Sequence, residues 1–176
     1  QLYATNYTYL SGIGNSFVRH LKTYTDWIIH KTNLNSNSFV VDVGSNDGTL
    51  LSIFKNKGFN VCGVDPAEKP SQIANKNGIP TYNDFFDKYV VNQIKSKFGK
   101  ADLVTSQNVL AHVGDLQKTF LYIYDLLKDG AYFVFEIGYF KKVIESGCFD
   151  TIYHEHIDYH HALPLSKFLT SIGFDL

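Results

Sequence analysis

The chain of 176 residues contains no methionine and only two cysteines, Cys62 and Cys148. The cysteines are far apart and form no CxxC pair, which excludes a disulfide scaffold or a cysteine zinc knuckle within this stretch. No apolar run approaches the roughly 20 residues that a bilayer crossing requires. Neither sign of charge is in excess: 16 Lys+Arg stand against 17 Asp+Glu, a net charge of −1. A broad electrostatic grip on nucleic acid or on an anionic membrane is therefore not expected. The opening is polar and tyrosine-rich with no apolar signal segment, so a cytoplasmic location is expected and the Asn6-Tyr7-Thr8 sequon is read as chance. A chain that starts at Gln1 without any Met is expected to be part of a longer product. What remains is 44% hydrophobic and 19% charged residues, the balance of one ordinary folded domain.

After a tyrosine-bearing arm, the apolar positions Phe17, Val18, Leu21, Tyr24, Trp27 and Ile28 recur at threes and fours and predict a helix to about His30, capped by Asn15 or Ser16. Phe39–Val43 reads as a buried strand, followed by the turn Gly44-Ser45-Asn46-Asp47-Gly48 and a helix that stops at Lys57-Gly58. Asn60–Asp65 is a second strand, and Pro66 is expected at the first position of the next helix. Ile79–Tyr82, Ala101–Ser106 and Ala131–Ile137 are further strands, separated by helices over Asp84–Lys97 and Asp115–Lys128. Gly147–Ala162 has no clean period, a last helix covers about Pro164–Ser171, and Gly173–Leu176 reads as the start of a sixth strand. Five strands alternating with helices predict an α/β fold with a doubly wound, mostly parallel sheet, whose ligands sit at the carboxyl ends of the strands.

The turn after the first strand carries the first chemical signal. A dinucleotide fingerprint wants glycines at 44, 46 and 49, where this chain has Gly44, Asn46 and Thr49. The acidic-x-Gly-x-x-x-Gly pattern suits a ligand with an amino-acid portion and a nucleoside instead. Gly44 allows a tight turn, and Asp42 and Asp47 can attract an ammonium group. The following helix N-terminus favours a carboxylate. Asp65, at the end of the second strand, can accept two hydrogen bonds from a ribose diol. Zwitterion plus ribose describes S-adenosyl-L-methionine.

This stretch, Val41 to Leu51 with Gly63-Val64-Asp65-Pro66, resembles motif I of the class I, Rossmann-like methyltransferases. More narrowly it is similar to the sugar C-methyltransferases that act on nucleotide-linked keto-deoxysugars. Gln107-Asn108-Val109-Leu110-Ala111-His112-Val113 resembles that family's Asn-Val-x-Ala-His stretch, and Tyr153-His154-Glu155-His156 its Tyr-His-Glu-His signature. Two features depart from it: Ile137-Gly138-Tyr139 stands where a proline is expected soon after Glu136, and the family's flanking domains, including a cysteine-ligated zinc domain upstream, are outside this chain. The resemblance implies an arm and helix over residues 1–30 that cover the active site. It implies a cofactor-binding methyltransferase domain over 31–176, truncated at its C-terminus, with a histidine-rich substrate segment at 149–161. It implies His156 as base, with Glu155 and Tyr153 ordering the sugar and the base. His112 and an arm tyrosine, Tyr7 or Tyr9, complete the pocket, and His154 is structural. Asn46 and Tyr9 are placed among the cofactor-binding residues with Asp42, Gly44, Asp65, Asp84 and Asn108.

The chemistry suits those residue types. A carbon beside a ketone is weakly acidic, and histidine is the side chain matched to removing its proton near neutrality. A tyrosine hydroxyl or a second histidine can stabilise the developing oxyanion. The competing readings are a methyltransferase of another acceptor and a metal site on His154, His156, His160, His161 and Glu155, although the HExxH spacing is absent. Asn108 is expected either at the methionine part of the cofactor or as a helix cap. Asp84 is expected at the adenine amino group or as an N-cap, and Phe85 beside adenine or in the core. Cys62 and Trp27 are expected to be core residues.

Overall fold

A computed structural model describes residues 7–176. Tyr3 and the Asn6 of the sequon lie outside the described residues. Five parallel strands form the sheet: β1 (Phe39–Val43), β2 (Asn60–Val64), β3 (Thr81–Tyr82), β4 (Ala101–Gln107) and β5 (Leu127–Glu136), in the order β3-β2-β1-β4-β5. Among the described residues the seven α-helices are α1 (Asn15–Thr32), α2 (Thr49–Asn56), α3 (Glu68–Lys76), α4 (Lys88–Phe98), α5 (Leu116–Leu126), α6 (Phe140–Ser146) and α7 (Ala162–Ile172).

Alternation along the strands decides which helices cover which face. Val41, Val43, Cys62, Val64 and Val104 point into an apolar cluster with Val90 and Ile94 of α4, Phe120 and Ile123 of α5, and Leu169 of α7. Val40, Val61 and Leu103 point the other way, into a cluster with Leu21 and Ile28 of α1, Leu51 and Phe54 of α2, and Ala74 of α3. Every residue of β1 is buried, as a strand covered on both faces must be. The chain runs outward from β1 through β2 to β3, then returns to the other side of β1 for β4 and β5. That reversal opens a crevice at the carboxyl ends of β1 and β4, the ligand position in such sheets.

Several local expectations are corrected. α1 is capped by Gly14 without a side-chain bond, so neither Asn15 nor Ser16 is its cap. Trp27 is 51% exposed, because the buried stripe of α1 runs through Leu21, Tyr24, Thr25 and Ile28. Pro66 precedes α3, which begins at Glu68 after Ala67. Asp87, not Asp84, caps α4 by accepting from Val90 N at 2.9 Å. β5 pairs with β4 at Leu127 and again from Tyr132, with an irregularity between that lets Lys128–Ala131 loop out. Gly173–Leu176 forms no strand; Phe174 packs its ring edge-on against Tyr124, with centroids 5.3 Å apart. α6 lacks a predicted counterpart. Its seven residues bury none of their side chains, so no buried stripe announces it.

Gly63 marks the closest approach of β2 to the turn after β1. A Cβ there would overlap Ser45 Oγ and stand 2.8 Å from Thr81 Oγ1 and 2.9 Å from Ser45 Cβ. The serine hydroxyl can rotate away, but its Cβ and the β3 threonine are fixed by the sheet. Gly63→Ala is expected to cost about 2 kcal/mol by overpacking and to lower Tm by about 5 °C, measured by thermal unfolding.

Candidate active site

The crevice is a cavity of about 790 Å3. Its floor is the end of β1, where Asp42 is buried and accepts from Thr105 Oγ1 at 2.7 Å. Burial pushes the Asp42 carboxyl up to about 7 from an ordinary 3.8; the Thr105 hydroxyl opposes the shift and the nearby Asp65 charge adds to it. The unfolded chain ionises first, so Asp42 stabilises the fold fully below about pH 4, and that contribution is lost as pH rises through about 7. Asn at this position keeps the acceptor for Thr105 without a charge. Asp42→Asn is therefore expected to raise Tm, by a margin that grows between pH 5 and pH 8 in parallel melts.

Gly44 follows with φ +76°, and a Cβ there would overlap Val109 Cγ2. Its absence lets the turn after β4 close over the turn after β1. Beside it, Ser45 Oγ and Gln107 Oε1 are buried without a hydrogen-bond partner, and both residues line the cavity. Gln107 is fixed by donating from Nε2 to the Tyr24 hydroxyl at 2.7 Å, which leaves its oxygen to the cavity side. Orphaned buried polar atoms carry a cost that a ligand removes. A carboxylate and an amide oxygen together suit an ammonium group, so the residues present fit the amino-acid end of S-adenosylmethionine. Sequence reasoning missed Gln107 and Ser45; the signal for Gln107 was a polar residue closing the apolar strand β4.

Asp47 departs from its expected part in that ammonium site. It does not line the cavity, because Oδ1 accepts from Thr49 N at 3.2 Å and Thr49 Oγ1 at 2.6 Å, while Oδ2 accepts from Gly12 N at 2.9 Å. Asn46 lies in the left-handed region at φ 51°. Its Nδ2 donates to the Tyr9 carbonyl at 3.0 Å, and its Oδ1 accepts from Ser11 N at 2.9 Å. Asn46 thus reaches the cavity wall with a side chain already bonded to the arm.

At the end of β2, Asp65 accepts from Ala67 N and Asn46 N, each at 2.8 Å. Burial raises its carboxyl, and the two backbone amides oppose that shift. Each carboxylate oxygen retains a second lone pair, so a ribose diol fits here. Phe85 and Phe86 continue the wall from Asp65. Phe85 is 54% exposed, so it belongs to the cavity and not the core. Asp84 is exposed, accepts from Phe85 N at 2.8 Å and, like Asp47, stays outside the lining.

The opposite end is built by the turns after β4 and after α6. Asn108 also lies in the left-handed region, at φ 54°, and lines the cavity; the helix that follows, α5, is capped by Asp115 instead. Ile157 N donates to the Ala111 carbonyl at 2.9 Å, which ties the histidine segment to the short 3-10 turn Leu110–His112. His156 N donates to the Tyr153 carbonyl at 3.0 Å, so the backbone bends at this segment. The bend brings Tyr153, Glu155 and His156 into one wall, with His154 beside them.

The two imidazoles are oriented by carbonyls. His156 Nδ1 lies 2.8 Å from the Thr151 carbonyl, and His112 Nδ1 lies 2.8 Å from the Glu155 carbonyl. A carbonyl only accepts, so Nδ1 carries the proton in both rings; in neutral His156 the lone pair is then on Nε2. The His156 ring is 4.9 Å from that of His112 and 4.3 Å from that of Tyr153. Burial, followed by the Glu155 and Tyr159 charges, raises the Tyr153 hydroxyl, which keeps it a proton donor. Tyr7 and Tyr9 close the cavity from the arm, with rings edge-on at 6.4 Å. The other histidines diverge: His160 is buried under a backbone pairing with Tyr139, and His161 caps α7 through Leu163 N. Among the described residues no three His, Cys, Asp or Glu side chains stand within reach of one metal ion.

Known proteins place this geometry. A family profile described as a methyltransferase domain matches residues 17–176. The C-methyltransferase NovU of Streptomyces niveus is 32% identical over 169 residues, 96% of this chain and 40% of NovU, so the chain spans about two fifths of that relative's length. A SAM-dependent methyltransferase from Archaeoglobus fulgidus superposes with a TM-score of 0.72 at 19% identity, over 90% of this chain and 69% of that one. The plantazolicin methyltransferase BpumL, in a complex with S-adenosylhomocysteine (SAH), superposes with a TM-score of 0.68 at 15% identity, over 92% of this chain and 66% of that one. With its Rossmann-like α/β fold, the chain belongs to the methyltransferase-domain family.

Proposed function

We propose that the chain is the catalytic core of a C-methyltransferase acting on a nucleotide-linked keto-deoxysugar. The observation that carries this reading is His156: an imidazole whose Nδ1–H is held by the Thr151 carbonyl, with Nε2 as base, beside a protonated tyrosine. A carbon acid needs that pair. His156 Nε2 takes the proton from the carbon next to the ketone, the C–H electrons form the enolate, and the oxyanion accepts from the Tyr153 hydroxyl. Asp42, Gln107 and Asp65 would hold S-adenosylmethionine, which would supply an electrophilic methyl group to the enolate carbon, its methyl–sulfur bond breaking to leave S-adenosylhomocysteine. Glu155, His112 and an arm tyrosine orient the sugar ring. The likeness to NovU, itself a C-methyltransferase, supports the reading.

No Lys or Arg lines the cavity among the described residues, so it suits the sugar ring and leaves the nucleotide's phosphates outside. The test separates carbon from oxygen acceptors. With SAH bound and no methyl donor, the enzyme is expected to wash solvent deuterium into the carbon beside the ketone of a nucleotide-linked keto-deoxysugar. Methyl transfer to a hydroxyl without such exchange would remove the enolate from the mechanism.

A further inference from the structure

Asn46 was expected among the cofactor ligands, yet both polar atoms of its side chain are bonded to the arm. Nδ2 donates to the Tyr9 carbonyl at 3.0 Å, and Oδ1 accepts from Ser11 N at 2.9 Å. One residue on, Asp47 Oδ2 accepts from Gly12 N at 2.9 Å. Gly12 is pressed onto the same turn, since a Cβ there would stand 2.9 Å from Thr49 Oγ1 and 3.1 Å from Asp47 Oδ2. Three hydrogen bonds therefore hold residues 9–12 across the turn after β1, and these bonds set where Tyr7 and Tyr9 enter the cavity.

The backbone of Asn46 serves the other ligand. Its N–H donates to Asp65 Oδ2 at 2.8 Å, the carboxylate placed for a ribose diol. For that, Asn46 holds φ 51°, a conformation that asparagine tolerates better than most residues. Asn46 is thus bonded through its backbone to the cofactor end of the cavity and through its side chain to the acceptor end.

We infer that Asn46 and Asp47 are positioning residues that clasp the arm to the cofactor turn, so that binding at Asp65 fixes the arm tyrosines against the acceptor. A ribose on Asp65 restrains the carboxylate, the carboxylate restrains Asn46 N, and the same residue's side chain holds the arm. The inference rests on the reading of Asp65 as a cofactor ligand, and its test keeps the two apart.

Chymotrypsin cutting after Tyr9 or Leu10, followed by mass spectrometry of the folded chain, reports how often the arm opens. Asn46→Gly keeps the positive φ and the backbone bond to Asp65 while deleting only the side-chain bonds. It is expected to speed cleavage about tenfold, as is Asp47→Ala, because each removes part of what holds a locally opening segment. SAH is expected to protect the arm of the wild-type chain and to bind Asn46→Gly within about threefold of wild-type affinity without protecting its arm. This loss of coupling is a result that a general weakening of the fold would not give.

Equal cleavage rates in wild type and both variants would overturn the clasp. So would an Asn46→Gly chain that loses SAH affinity while its arm stays protected, since the side chain would then be a cofactor ligand. Failure of the wild-type chain to bind SAH would sink the cofactor reading, and the link from cofactor to arm with it, whereas the cleavage ratios still report on the three bonds themselves.

Discussion

His156→Asn is expected to abolish methyl transfer, with a loss of about 10^3-fold or more, since positioned general bases contribute on that order. SAH is expected to bind the variant within about twofold of wild type, because a catalytic base acts on the acceptor and adds little to cofactor affinity. Asparagine can still face the Thr151 carbonyl but has no basic nitrogen to turn toward the acceptor. The neighbouring ring provides the control. His112, its ring 4.9 Å away and held by the Glu155 carbonyl, is a second imidazole within reach. His112→Asn is expected to retain solvent deuterium exchange into the keto sugar, and His156→Asn to lose it. The opposite pattern would move the base to His112, and full activity in His156→Asn would remove that histidine from the chemistry.

The layered fold was readable because its causes are local and repeated. β1, β2 and β4 are short apolar runs bounded by turn residues, and the helices between them carry stripes at threes and fours. The strand-end wall of the cavity was readable for a related reason. Asp42, Gly44 and Asp65 lie at strand ends, and in a parallel sheet all strand ends converge on one edge. The errors fall where the deciding contact is distant in sequence. Asp47 has the right chemistry for an ammonium group, but Gly12, 35 residues away, takes its carboxylate. Asp84 lies near the right strand, but its carboxylate folds back on the next amide while Phe85 forms the wall. Gln107 was passed over because its value comes from Tyr24, 83 residues away, which fixes the amide and aims its oxygen. At the acceptor end the bend at Tyr153–His156 depends on a bond from Ile157 to Ala111, which no period in the segment signals.

Asp65→Ala is expected to lower SAH affinity about 100-fold, the size expected when a carboxylate loses two charge-assisted hydrogen bonds to a ribose. The carboxylate is buried and accepts two backbone amides at 2.8 Å. Its removal therefore has two effects on the fold of opposite sign. The Asn46 and Ala67 amides lose their acceptors, while a buried charge whose carboxyl burial had raised is relieved. Stability is expected to change less than affinity. A second ligand separates the two ends of the cavity. 5′-Methylthioadenosine keeps the ribose and lacks the amino-acid tail, so Asp65→Ala is expected to weaken it as strongly as SAH. Asp42→Asn, at the ammonium end, is expected to weaken SAH and leave methylthioadenosine nearly unchanged. Calorimetric titration of both ligands against both variants tests the arrangement. Unchanged affinity in Asp65→Ala would mean that the carboxyl end of β2 holds something other than a ribose. Equal losses for both ligands in Asp42→Asn would mean that β1 does not face the amino-acid tail.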